Sequence, residues 1–435
     1  NDMISAAPAS SIQTPLEQPT ASIYNKTFWL CYLANALLVT ANAMTFHFVD
    51  FVHFLKGNDQ ITGTIMSVGL IAAIVARLPL GRYIDLLGTQ RIWVGCSFSF
   101  LFGCVGMVYV TDINWQIYVA RMMYAVGIAG MFTAAIVFIQ NQVPAERRTE
   151  VIGSLGSSGF IGMAAGSLFA DLVLYLVPIN CGVYSLLFSM VGMVGMAYLG
   201  IVFYLTRGIS HEKPHESLPV IKLILRYWPG MVLLVAIMMG GNMAVTGGFL
   251  ASYVKARGFI GIAPFFFGYA VSAFTFRILT RHWGRIIGRH RMILCGLAGQ
   301  AIGHFALPFL TESWQLLLPS IACGFGHALL FPAVVSLGAG AFPPRYRGLG
   351  TTLILGFSEL GFAIFAPILG TIIDHIGFQT MFFTSSILTV IVAITYQLTA
   401  AKIGDHEQQQ KEDSNSKTST DGIIDSEEIE DPAMV

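Results

Sequence analysis

The sequence predicts an all-α membrane protein: twelve transmembrane helices arranged as two pseudo-symmetric six-helix bundles. Three observations carry that prediction. Of the 435 residues, 55% are hydrophobic and only 11% charged, whereas soluble domains carry about 25% charged residues. Apolar runs near the ~20 residues needed to cross a bilayer follow one another along the chain. The pattern of charge and glycine then repeats after about 200 residues, from Arg77 to Arg277, so the two halves are alike.

Taken in order, residues 1–25 are rich in Ala, Ser, Pro and Thr and have no basic residue. They lack the basic start of a signal peptide and are expected to form a short disordered tail. Spans are expected near 27–54, 61–80, 92–111, 115–140, 149–177 and 181–205, giving a first bundle over 26–206. The stretch 207–226, with Arg207, His211, Glu212, Lys213, Pro214 and Pro219, is the longest polar interruption and serves as linker. A second bundle over 227–401 holds spans near 228–253, 262–280, 292–311, 315–338, 349–373 and 378–400. The tail 402–435 is rich in Asp and Glu with few large apolar residues, a composition that stays disordered.

Orientation follows from the loops. With the N-terminus inside, only Lys56, Lys255 and Arg257 fall in outer loops, while Arg82, Arg91, Arg147, Arg207, Arg226, Arg289 and Arg345 fall in inner ones. The positive-inside rule then places both termini in the cytoplasm. A plasma (inner) membrane location is expected.

Several function classes drop out. A net charge of zero leaves no basic surplus for nucleic acid. No glycine-rich phosphate loop ends in Lys-Ser/Thr, which argues against an enzyme or pump driven by ATP. No His, Glu or Cys cluster has metal spacing, so neither a metal nor another cofactor is expected. Cys31, Cys96, Cys104, Cys181, Cys295 and Cys323 fall inside spans without a Cys-x-x-Cys pair and read as packing residues.

The most informative stretch is the charged knot Arg77-Leu-Pro-Leu-Gly-Arg-Tyr-Ile-Asp-Leu-Leu-Gly-Thr-Gln-Arg91. Gly81 and Gly88 are suited to a tight turn, and Pro79 stands where a helix often breaks. Its second copy keeps Arg277, Gly288 and Arg291 but has Arg285 in place of Asp85. Trp115-Gln116 recurs as Trp314-Gln315, Gly127 as Gly326, and Phe51-Val52…Gly57 as Tyr253-Val254…Gly258.

The spacing Gly81-Arg82-x-x-Asp85-x-x-Gly88-x-x-Arg91 resembles the signature loop between the second and third helices of the major facilitator superfamily. The resemblance implies two bundles around a central cavity and a cytoplasmic gate at Arg77, Gly81, Arg82, Asp85, Gly88 and Arg91. Asp85 is expected beside the cytoplasmic end of the eleventh helix, latching the bundles. Arg121…Gly127…Gly130 resembles the fourth-helix signature, whose arginine is tied to proton coupling. The fifth span carries Gly153, Gly156, Gly159, Gly162 and Gly166 but not the proline of the antiporter signature. Glu359-Leu-Gly resembles arabinose- and drug-efflux-type permeases.

Ionisable residues within spans are costly in hydrocarbon and usually face a cavity or a partner. Glu359 lies about ten residues into its span, near mid-membrane, and is the first proton-coupling candidate. Asp50 and Arg121 are the next, at matching depth on neighbouring helices, and are expected to pair. His327 in the tenth span, a proton-coupling and cavity candidate, and His304 in the ninth are weaker candidates. Asn35, Asn42 and Asn242 are candidates to line the substrate cavity or to join helices by hydrogen bonds.

The expected function is secondary active transport of a small organic solute, in the form of proton-coupled efflux by antiport. Proton-coupled symport for metabolite uptake is the alternative, and a sensor without flux a third. Acids and aromatics in the cavity would suit a cationic or neutral amphipathic solute. The partners are that solute, protons and lipid, with the protein a monomer.

Overall fold

A computed structural model describes residues 24–140, 142, 148–178, 180–208, 220–280, 283–343 and 346–399. Among these the chain is almost wholly helical. Six helices make the first bundle: α1 (Lys26–Phe54), α2 (Asp59–Leu87), α3 (Thr89–Val108), α4 (Trp115–Gln140), α5 (Arg148–Leu176) and α6 (Cys181–Thr206). The second holds α7 (Val232–Ala256), α8 (Ala263–Leu279), α9 (Arg289–Phe309), α10 (Ser313–Gly340), α11 (Arg347–His375) and α12 (Phe378–Thr399). Eleven of these are long and apolar enough to cross a membrane, and α8 is a shorter apolar helix. The expected spans coincide with them to within a few residues, except that α2 runs to Leu87, seven residues past its expected end at 80. Residues 1–23, 209–219 and 400–435, which hold most of both expected tails and of the linker, lie outside the described residues; Val220–Arg226 forms a short helix.

An even number of crossings puts the two ends of the helical body on one face, here the terminal face; the other is the distal face. Phe102, Val105, Leu172, Met193 and Ile394 are exposed around the bundle, as a surface bathed in hydrocarbon requires. Inside, glycines let backbones meet, because packing rather than water exclusion joins helices in lipid. The repeated pair Gly127 and Gly326 shows this. A Cβ on Gly127 would strike the backbone of Phe100 in α3, and one on Gly326 would stand 2.7 Å from Gly296 O in α9.

The charged knot departs from expectation. Helix α2 runs through Pro79 and Gly81 to Leu87, and only Gly88 turns the chain, at φ 88°. Its repeat partner Gly288 has φ 81°, a backbone region that glycine enters freely. Proline is tolerated within membrane helices because neighbours re-satisfy the freed carbonyl. The side chains of Arg82 and Asp85, and with them the expected latch, lie outside the described set; Arg91 is exposed at the start of α3.

Two breaks occur at matching places in the repeat. Helix α1 passes through a 3₁₀ turn at Thr45–His47, and α7 through a π-helical segment at Ala244–Gly248. The bundles meet along α2–α11, α5–α8 and the distal ends of α1 and α7. At the first of these, a Cβ on Gly63 would collide with the backbone of Ala366 and Pro367. Gly63→Val is therefore expected to wedge α2 from α11 at the distal face, at a cost of about 1–3 kcal/mol. Distance measurements between labels across that face check it; an unchanged separation would contradict the contact.

Candidate functional site

The two helices that pack most intimately across the bundle boundary carry the first feature of the site. Arg77 of α2 stands about 18 residues from Asp59, roughly 27 Å at the helical rise. Glu359 of α11 stands about 16 residues from His375, roughly 24 Å from the same face. Arg77 Nη2 donates to Glu359 Oε1 at 2.7 Å and to the Ala129 carbonyl of α4 at 3.5 Å. Arg77 Nε and Nη1 and Glu359 Oε2 are buried with no hydrogen-bond partner. Arg77, expected at a gate, and Glu359, expected alone at mid-membrane, thus form one ion pair between the bundles.

The second feature closes the distal face. His47, on the 3₁₀ turn, reaches Asp50 Oδ2 through Nδ1 at 2.7 Å and Asp171 Oδ1 of α5 through Nε2 at 2.8 Å. Asp171 Oδ2 accepts from the Ala263 amide at the start of α8 at 2.6 Å. Lys255 Nζ of α7 lies 3.8 Å from Asp50 Oδ1. At the same distal end Asp374 of α11 accepts from the amides of Asp59 and Gln60 at 3.1 and 2.8 Å. Asp59 in turn meets His53 at 3.2 Å and Ser252 of α7 at 3.3 Å. Both cross-bundle pairs, α5–α8 and α11–α2, are therefore pinned by an aspartate at a helix N-terminus, where the dipole favours an anion.

His47, Asp171 and Asp374 were not singled out in the sequence. The available signal was an acid near the end of both the fifth and the eleventh spans, and a His–Asp pair at i, i+3.

The expected Asp50–Arg121 pair is not present. The Arg121 guanidinium lies over the rings of Phe48 and Tyr124, 4.7 and 4.9 Å from their centroids, and its Nη1 has no hydrogen-bond partner. Phe48 and Asp50 are two residues apart, about 200° around the helix. Phe48 therefore faces α4, and Asp50 faces His47 and Lys255. Depth matched, but azimuth did not.

A cavity of about 160 Å³ lies in the second bundle, lined among others by Asn242, Gln300, His327, Phe331 and Ser358. His327 stacks on Phe331 at 9° and meets Phe160 of α5 and Tyr269 edge-on. Asn242 Oδ1 accepts from Thr389 Oγ1 at 3.0 Å and Ser385 Oγ at 3.5 Å of α12. Ser385 also meets His304 at 3.0 Å, which puts His304 in a packing network behind the cavity. Asn35 donates to Ser158 Oγ at 2.7 Å and joins α1 to α5; Asn42 accepts from Tyr124 at 3.4 Å. Cys31, Cys104 and Cys323 are buried, and Cys96 and Cys295 partly so, all five with free thiols; the Cys181 side chain is outside the described set.

Comparison with known proteins agrees with this architecture. The family model described as Major Facilitator Superfamily matches residues 28–281 and 232–429. An uncharacterized MFS-type transporter of Burkholderia mallei (strain SAVP1) is 23% identical over 395 residues, covering 88% of this chain and 91% of that protein. The uncharacterized MFS-type transporter YhhS of Shigella flexneri is 22% identical over 359 residues, with 80% and 86% covered. Among solved structures, the nucleoside transporter NupG matches at TM-score 0.67 and 13% identity, covering 86% of this chain and 99% of that one. The xylose transporter XylE from E. coli, in a partially occluded inward open conformation, gives 0.66 and 13%, covering 84% and 95%. The E. coli fucose:proton symporter FucP gives 0.61 and 16%, covering 85% and 98%. With its helices, its repeat and a family model spanning both bundles, this multi-pass membrane protein is a secondary transporter and belongs to the Major Facilitator Superfamily.

Proposed function

We propose that the protein drives a small organic solute across the membrane by alternating access, with Glu359 as the group that exchanges a proton. The observation that carries this is the 2.7 Å pair between Arg77 and Glu359, which joins the two bundles within the membrane. The ionised carboxylate holds Arg77 and ties α11 to α2. Taking up a proton removes that charge, since a neutral carboxyl no longer neutralises the guanidinium. The link then loosens and the bundles can part on the terminal face. His327, in the neighbouring cavity wall, belongs with solute contacts in this scheme. Arg121 and Asp50 hold α4 and the distal clasp. The positive-inside bias supports placing the terminal face in the cytoplasm of a plasma (inner) membrane, with the protein acting as a monomer.

Export by antiport is the form the efflux-type resemblance supports: the solute displaces the proton at Glu359 and leaves as the proton enters. One observation favours symport as a second reading. Arg121 and Arg277 lack carboxylate partners among the described residues, so the membrane interior carries cation to spare. The fucose:proton symporter among the structural neighbours shares the fold. Reconstituted liposomes with an imposed pH gradient test both forms. Solute accumulating on the alkaline side is the symport result, and solute expelled toward the acid side the antiport result. Flux indifferent to the gradient would overturn proton coupling.

A further inference from the structure

Among the described residues the charges inside the membrane do not balance, and the imbalance describes the solute. Three described arginines enter the interior: Arg77, Arg121 and Arg277. Glu359 neutralises Arg77. Asp50 and Asp171 are engaged by His47, and Asp59 by His53. Neither Arg121 nor Arg277 stands within ion-pair distance of a described carboxylate. The acids that made a cationic solute plausible from sequence are thus already occupied.

Arg277 is the informative one. It holds in α8 the repeat position that Arg77 holds in α2, and it too crosses to the other bundle. Its guanidinium lies over Phe160 of α5 and Phe331 of α10, 5.3 and 5.6 Å from their centroids. Counted from Arg148 and Arg347, where α5 and α11 begin, Phe160 and Glu359 occupy the same step. One arginine therefore meets a carboxylate and its counterpart a phenyl ring. The ring holds the guanidinium but leaves its in-plane N–H donors for an acceptor. Gly156, one turn before Phe160, lies beside the guanidinium: a Cβ there would stand in ordinary contact, 3.4 Å from Arg277 Nη1.

A second observation points the same way. Asn242 lines the cavity and is 3% exposed. Its oxygen is taken by Thr389 and Ser385, while its Nδ2 has no acceptor. A buried donor left unmade is costly until something supplies an oxygen. The free cation and the free donor ask for the same chemistry. His327 and Phe331 line the same cavity as Asn242, and Phe331 together with Phe160 carries the guanidinium.

We infer that the solute is a compact organic anion, a carboxylate with a flat apolar body, held by Arg277 with its body among Phe160, His327 and Phe331. This rests on the reading that the central space moves a solute, and names the solute's class.

The test uses purified full-length protein and three matched probes of one shape: benzoate, neutral benzamide and cationic benzamidine. Benzoate is expected to raise the melting temperature, and the other two to leave it unchanged. Arg277→Gln should weaken benzoate about tenfold or more, as loss of a charged partner does, and Arg277→Lys should retain part of the affinity. Equal or larger shifts with benzamide or benzamidine, no shift with benzoate, or unchanged affinity in Arg277→Gln would each overturn the assignment. If Arg277→Gln does not purify folded, the three wild-type titrations and the lysine variant still decide. Flux separates this inference from the coupling scheme. Benzoate that binds but does not respond to a pH gradient leaves the anion site standing and removes proton coupling; benzamidine driven by the gradient does the reverse.

Discussion

Glu359→Gln is expected to abolish solute accumulation driven by a pH gradient, to the level of liposomes without protein, while exchange of solute across membranes at equal pH persists. The glutamine keeps the shape and can still accept a hydrogen bond from Arg77, but it can neither ionise nor titrate. The bundles therefore lose the charge that ties α11 to α2, and the proton loses its place to bind. Both single variants should also lose stability: Glu359→Gln strands the Arg77 guanidinium and Arg77→Gln the Glu359 carboxylate, and removing one partner of a buried pair costs about 3–5 kcal/mol. The double variant should recover much of that stability, because no unpaired charge remains. Melting curves in detergent and paired flux assays check both statements. Accumulation retained by Glu359→Gln would remove Glu359 as the coupling group.

The second large effect is expected at the distal clasp. His47 stands between two carboxylates at 2.7 and 2.8 Å, and only the imidazolium donates from both nitrogens. His47→Ala leaves Asp50 and Asp171 buried and unbridged, with Lys255 a distant partner at 3.8 Å. The expected loss is about 3–5 kcal/mol, together with opening between α1 and α5 at that end. Adding Asp50→Asn and Asp171→Asn should restore stability without restoring the clasp. A His47→Ala variant that melts with the wild type would mean that the carboxylates find other partners.

Much of the fold was legible because hydropathy reports depth. Twelve spans, their approximate ends and the turn glycines Gly88 and Gly288 follow from composition, charge bias and a repeat. Depth also placed Glu359, Asp50 and Arg121 within the membrane, whereas Arg77 was expected at the cytoplasmic gate. What it does not report is azimuth, and contacts between the bundles depend on it. Arg77 and Glu359 are 282 residues apart in sequence, and nothing local pairs them. Asp50 matched Arg121 in depth yet faces away, because Phe48 occupies the side toward α4. The knot misled for a related reason. Gly81 and Pro79 are turn-forming residues in water, but in lipid a helix whose backbone bonds stay internal is the safer conformation. Asp171 and Asp374 went unmarked since an acid near a span end looks like an ordinary boundary residue until the helix N-terminus opposite it is seen.

The most direct test of the link between protonation and opening needs no solute. In a background without native cysteines, spin labels on Leu87 of α2 and Leu398 of α12, both exposed near the terminal face, report the distance between the bundles there. In the wild type that distance should lengthen when the pH is lowered, as Glu359 takes up a proton and releases Arg77. In Glu359→Gln it should be long at every pH. A wild-type distance that ignores pH, or a Glu359→Gln protein that follows pH as the wild type does, would contradict the account.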